Sequence, residues 1–402
     1  LTGALVYNQT GGDVTVGGIN SSDEQGVFEI DSNTGSSFTL TGTSELSVLR
    51  QTGGDEFADI FINPESTAIA SVTSTINVGL SSITNNNFRI NIAPSIGNLN
   101  IAGTSAQTVN MFSNPLLVGG GLTIPTASVL NTNSLDVTIA GDLNCPGTYT
   151  GGTNTTTFNG TGSQSGELSS SSTFNDVKII KTAGTTLILS GTSPTLQNLY
   201  ILTGILDVGS LALDVRKNIT NNSSQVGSGS VLVYSTSGVS NTITSNNGSF
   251  TNLSLGGDAY SKTVTVKGSM DIEGVLDFSS ANRYLMIKSY LLTFGESATI
   301  VGAGETAFIR TNGVTSDLGI VKNWAAGSSK SFTYEIGTSI NYTPASYTFD
   351  NISTAGAITV VPVNSVHLTY NQSSNEQILN YNWIVSRDSD LEYGTTGSHT
   401  YS

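Results

Sequence analysis

Apolar residues alternate with Thr, Ser, Asn and Gly along most of the chain, in runs of only three to five residues. Typical stretches are "TLILSG" (186–191), "NLYIL" (198–202) and "GILDVG" (204–209). Such alternation places every second side chain on one face, the signature of a half-buried strand. No run of a dozen residues has a 3.6-residue period, so the pattern predicts no helix. Strands this short cannot build a hairpin protein with a deep core. They suit a solenoid, in which each coil lays its strands on those of the coil before.

Longer-range returns support that plan. "IGNLNI" (96–101), "FNDVKI" (174–179) and "FTNLSL" (250–255) share the form apolar-x-Asn/Asp-apolar-x-apolar. A second set, "SVLNTNSLDVTI" from Ser128, "GILDVGSLALDV" from Gly204 and "GVLDFSSANRYLMI" from Gly274, recurs at similar intervals. Units of about 70–78 residues, centred on 76, are therefore expected, each holding three or four coils of roughly 20–25 residues. On this reading Leu99, Val177 and Leu253 are buried on one common face. "QTGGD" occurs at 9–13 and 51–55, and coils of 21 would make it one corner two coils apart. Gly11-Gly12 and Gly53-Gly54 would then supply positive φ. The Asn runs at 84–88, 220–224 and 245–249 are further corner candidates, where stacked amides can form ladders. A string of hairpin-linked sandwiches is the rival, but it calls for recurrent Asn-Gly turns, and these are few.

The texture changes near residue 300. Trp324, Phe332, Tyr334, Tyr342, Tyr347 and Phe349 thicken the sequence, and alternation lengthens. The expected organisation is all-β: a parallel β-helix over 1–299, then a small β-sandwich-like module over 300–402 that caps the last coil. Composition agrees. Only 11% of residues are charged, 37% are hydrophobic and Gly numbers 45. The apolar alternation argues against disorder.

Charge narrows the function classes. The net charge is −15, and with no basic stripe a nucleic-acid partner or an anionic lipid surface is not expected. No stretch approaches 18 uninterrupted apolar residues, so no transmembrane helix is expected. Cys145 is the sole cysteine, which excludes an internal disulfide and points to a small buried residue. The chain starts at Leu1 and stops in mid-pattern at Ser402, as a portion of a longer processed protein would.

"TTTFNGTGSQSGELSSSSTFNDVKIIKTAGTTLILSG" (155–191) and "LTGILDVGSLALDVRKNITNN" (202–222) resemble the recurrent module of large exported surface proteins of Bacteroidota. "FIRTNGV", "FTYEIGTSINYTPASYTF" and "NYNWIVSR" resemble the segments that follow it. The resemblance covers most of the chain and rests on structural motifs. It implies a right-handed parallel β-helix, export by type IX secretion, and an adhesin-like, surface-anchored or released protein, in some members tied to gliding motility. The sorting domain of type IX cargo is not among these residues, so the export route rests on the resemblance alone.

Chemistry is sparse. The two histidines, His367 and His399, stand in strand-like polar contexts, and no G-x-S-x-G elbow is present. Polygalacturonase-like enzymes of the β-helix type carry Asn-Thr-Asp, Asp-Asp, His-Gly and Arg-Ile-Lys, and none of these strings occurs. Asp388, Asp390 and Glu392 in "RDSDLEYG" alternate, so on a continuous strand they would share a face and could hold Ca²⁺. A solvated acidic face is the competing reading. Asp23 with Glu24, and Asp55, Glu56 and Asp59, are weaker clusters. Tyr7, Tyr149, Tyr200, Tyr260 and Tyr284 could stack on sugar rings if exposed. The expectation is a non-catalytic secreted or cell-surface solenoid, an adhesin or spacer with polysaccharide, cell-surface or envelope and secretion-machinery partners. A polysaccharide lyase or glycoside hydrolase is the alternative.

Overall fold

The computed structural model describes residues 4–17, 28–51, 58–79, 86–102, 106–258, 261–339, 341–366 and 379–393. Every regular element among them is a strand, and most pair in parallel with the strand one coil on. The described chain is a parallel β-solenoid that ends in antiparallel sheets. It divides into two compact units, Leu1–Leu213 and Asp214–Ser402.

In the first unit each coil contributes a strand to three faces. One face stacks Asp13–Val16, Glu45–Val48, Thr75–Val78, Asn98–Ile101 and Leu122–Thr123, and runs on to Ile205–Asp207. Paired residues here are 32 and 30 apart in the first coils (Asp13↔Glu45↔Thr75) and 19 to 23 apart from Thr75 onward. A second face carries Gln107–Met111, Val129–Asn131 and Thr148–Thr150 in register. The third carries Leu116–Val118, Val137–Ile139 and Thr155–Phe158. Alternation does the rest, because a register shift of one residue would turn each apolar set outward. Leu99, Leu122 and Leu143 stack on the axis, as do Val137, Ile139 and Phe158 on another side, all buried.

This register corrects two expectations. Leu99, Val177 and Leu253 are all buried, but they do not share one face. Leu99 pairs with Ile76 and Leu122, whereas Val177 pairs with Thr156 and Leu199 on the third face. In the second unit Leu253 aligns with Val231 and Leu276. The structural repeat is the single coil, and an interval of 76 residues is not a whole number of coils. The true neighbour of "FNDVKI" is "LQNLYI" (196–201), which has the same pattern 22 residues on: Phe174↔Leu196, Asp176↔Asn198, Val177↔Leu199. Both segments turn a corner inside one long strand, Thr173–Ile180 and Thr195–Thr203.

The two QTGGD segments are not equivalent corners either. Gly12 precedes the strand Asp13–Val16 and accepts the Glu45 amide from the next coil at 3.1 Å. Gln51 instead follows Glu45–Val48. The first coils are longer than 21 residues because extra residues lie between their first and second faces. Gly12 has φ +70, while Gly11 does not have positive φ; Gly53 and Gly54 lie outside the described residues. Of the Asn corners, Asn247 has φ +56 at the turn before Gly248. Asn87 lies in the strand Asn86–Ile92 and ladders there.

In the second unit parallel stacking continues past residue 299. Leu292–Phe294 carries Ile320–Trp324, and Phe308–Thr311 carries Ile336–Gly337. Antiparallel pairing begins at Ile320–Trp324, which takes Gly356–Val363, itself paired with Asn382–Arg387. A separate antiparallel sheet joins Gly327–Tyr334, Ala345–Thr354 and Glu392–Tyr393. The sheets pack through the expected aromatics. Trp324 meets Phe349 edge-on at 5.1 Å, and the buried Tyr334 hydroxyl donates to the Ile358 carbonyl at 3.0 Å. Phe332, Tyr347 and Phe349 are buried, and Tyr342 is half-buried.

Candidate functional site: a hydroxyl-lined cleft

The sequence-derived calcium candidate does not assemble. Asp388–Leu391 is a turn between the strands Asn382–Arg387 and Glu392–Tyr393, so strict alternation fails there. Asp388 accepts the backbone amides of Ala357 at 2.7 Å and Leu391 at 2.9 Å, holding the turn together. Asp390 accepts the Ser389 hydroxyl at 3.2 Å, and Glu392 the Thr354 hydroxyl at 3.1 Å. Each carboxylate has its own local partner. Among the described residues no three His, Cys, Asp or Glu side chains gather to hold a metal.

His367, His399, Asp23, Glu24, Asp55, Glu56 and Tyr260 lie outside the described residues. Asp59 is fully buried and accepts the Arg89 amide at 2.6 Å, with the Arg89 guanidinium 3.8 Å away. Cys145 is buried, and desolvation pushes its thiol up to about 11. At neutral pH it is a protonated core residue. Tyr149 is fully buried, donating or accepting with Thr156 at 2.7 Å, and Tyr7 stacks on Phe38. Tyr200 stays half-exposed under the Lys178 ammonium at 5.9 Å, and Tyr284 lies under the Arg310 guanidinium at 3.2 Å.

Sequence reading missed a set of buried cations. Lys181 donates to the Gly160 carbonyl at 3.0 Å and to Gln164 Oε1 at 2.6 Å. Arg283 donates to the carbonyls of Gly256 and Asp258. Lys322 donates to the Gly295, Ala298 and Glu296 carbonyls at 2.5, 2.9 and 3.0 Å. These partners are corner carbonyls, which would otherwise be buried without donors at a cost of about 1–3 kcal/mol each. Burial lowers the Lys181 and Lys322 ammonium groups, Lys322 to about 8. The signal was in the alternation: Arg283 and Lys322 occupy inward positions in "RYLMI" and "IVKNW".

Two concavities remain. A space of about 10 Å³ in the first unit is walled only by apolar side chains such as Phe158, Leu187 and Leu199. It holds one water at most, and an apolar site of that size stays dry. The other is a cleft of about 280 Å³ in the second unit. One wall is the strand Thr299–Val301, represented by Thr299 and Ile300. The other is the separate antiparallel sheet, where Ser331 faces Thr348 and Thr333 faces Ser346 across the two strands. The Thr333 and Ser346 hydroxyls are 2.9 Å apart. Glu335 closes one end and accepts the Tyr342 hydroxyl, and that partnership together with burial raises the Tyr342 phenol. The rings of Phe332 and Tyr347 underlie the hydroxyl rows from the opposite side of the sheet and fix its position. No Lys, Arg or His lines this cleft among the described residues.

Comparison with family models, with curated proteins and with solved structures finds no match to this chain.

Proposed function

We propose that the protein is a non-catalytic, extracellular or surface-displayed β-solenoid, an adhesin or extended spacer whose partners are polysaccharide, other cell-surface ligands or envelope and secretion-machinery proteins. The observation that carries this reading is the outward register of hydroxyls and amides. Asn100 donates to Asn77 at 2.9 Å, Asn110 to Asn87 at 2.5 Å and Asn131 to Asn110 at 3.2 Å. Thr138 lies beside Thr157, and Asn218, Thr242 and Thr265 align coil on coil, with Thr220 beside Thr244. Such stacks offer repeated, uncharged donors and acceptors at the strand spacing of about 4.8 Å. A repetitive ligand can engage many of them at once, so weak contacts add through multivalency. The acidic balance of the chain favours neutral or cationic partners over anionic ones.

The resemblance to exported Bacteroidota surface proteins supports the outer-surface location and type IX export. The test is retention of the intact chain on beads coated with neutral polysaccharides, compared with uncoated beads. Retention that rises with glycan length supports the adhesin reading. No retention on any glycan or on intact cells removes it.

A further inference from the structure

We infer that the cleft beside Thr299–Val301 is a binding site for a neutral saccharide of one or two sugar units. The inference rests on the adhesin reading and deepens it by naming a ligand class and a place. The cap covers the last strands of the solenoid unequally. Ile320–Trp324 is covered by Gly356–Val363, and Phe308–Thr311 by Ile336–Gly337, each through backbone pairing. Beside Thr299–Val301 the next strand of the chain to run along that side, Gly327–Tyr334, belongs instead to the separate antiparallel sheet. The cleft occupies the space between them.

Its chemistry fits a polyol. Ser331, Thr333, Ser346 and Thr348 present hydroxyls in two cross-strand rows, each able to donate and to accept. Glu335 uses one acceptor position on Tyr342, and a carboxylate offers about four, so vicinal sugar hydroxyls can share the rest. Ile300, half-buried at the rim, supplies an aliphatic surface for the C–H face of a sugar ring. With Glu335 present and no cation lining the cleft, an acidic sugar would meet an unopposed like charge in a chain of net charge −15. A volume of about 280 Å³ lies at the lower end of ligand pockets, about 300–1,000 Å³, and sets the limit of one or two sugar units.

The test is saturation-transfer NMR and calorimetric titration of the full chain with maltose, cellobiose and lactose, with digalacturonate as the charged comparison. Two variants accompany it: Glu335→Gln, which removes the acceptor charge, and Ser331→Trp, an exposed position where the indole fills the cleft without entering the core. At least one neutral disaccharide should bind, its affinity should fall at least tenfold in both variants, and digalacturonate should bind more weakly. An unchanged melting temperature for Ser331→Trp establishes that a loss is local. The inference is overturned if no neutral disaccharide binds, if Ser331→Trp leaves binding unchanged, or if digalacturonate binds as tightly as the neutral sugars. Failure here with retention on glycan-coated beads intact would remove the cleft and leave the adhesin reading standing.

Discussion

Leu99 lies directly beside Leu122, 23 residues later in the chain, and both are fully buried in one inward stack. Each coil thus covers the apolar residue of its neighbour. Replacing Leu99 or Leu253 by Ala leaves a hole that the stack above and below cannot close, at a cost of about 2–5 kcal/mol. Val177, which is 8% exposed and one methylene smaller, should lose less. Urea unfolding of the three variants checks this order, and an effect at Leu99 no larger than at Val177 would argue against the register.

Two glycines should separate conformational strain from collision. Gly12 has φ +70 with open space around the position of a Cβ, so Gly12→Ala should cost only the left-handed penalty of about 1–2 kcal/mol. Gly268 has φ +120, and a Cβ there would run into the Ser245 carbonyl. That backbone region is essentially restricted to glycine. Gly268→Ala should therefore destabilise far more, or prevent folding, while Gly11→Ala should be close to neutral. Melting temperatures of the three variants decide the matter.

Lys322 is 3% exposed, and burial lowers its ammonium from 10.5 to about 8. Between those values the unfolded chain binds more protons than the folded one, so raising the pH favours folding. This contribution is fully present above the unfolded value and is lost as pH falls through about 8. Wild type should gain stability relative to Lys322→Met between about pH 7 and pH 9.5, read as a difference in melting temperature. A difference that stays flat or moves the other way contradicts the buried ammonium.

Asn110 holds a rung between Asn87 and Asn131. Asn110→Ala removes two neutral hydrogen bonds at a half-exposed site, so a loss of about 1–2 kcal/mol is expected. Asn110→Asp loses the donor to Asn87 but keeps the acceptor for Asn131, and should fall between wild type and Ala. Hydrogen exchange in the neighbouring coils measures both. Equal protection in all three proteins would mean that the ladder contributes nothing.

Much of the fold was legible because a period of two is hard to disguise. Strands at 186–191, 204–209 and 320–324 announce their inward residues by alternation alone, and the aromatic cluster from Trp324 to Phe349 announced the cap. The coil length was not legible from motif matching, since similar strings recur on different faces: "SVLN" lies on the second face, whereas "GILD" stacks on Thr186–Gly191 of the first. A matching string constrains local geometry, not the coil count. The extent of the parallel stack was obscured for a related reason, as Ile320–Trp324 is parallel on one edge and antiparallel on the other. Of the candidate sites, the Asp388–Glu392 cluster failed because a turn replaced the strand it assumed. The cleft could not be read at all, because Thr299 and Thr348 are brought together only by the way the cap folds back.

The central claim is that this solenoid binds glycans without cleaving them. Incubation of the intact chain with a panel of neutral and acidic polysaccharides, followed by assays for new reducing ends and for unsaturated sugars, tests it most directly. The account predicts retention of glycan with no product above the protein-free control. Product that accumulates with protein concentration, and disappears when a single carboxylate such as Glu335 is replaced, would contradict it.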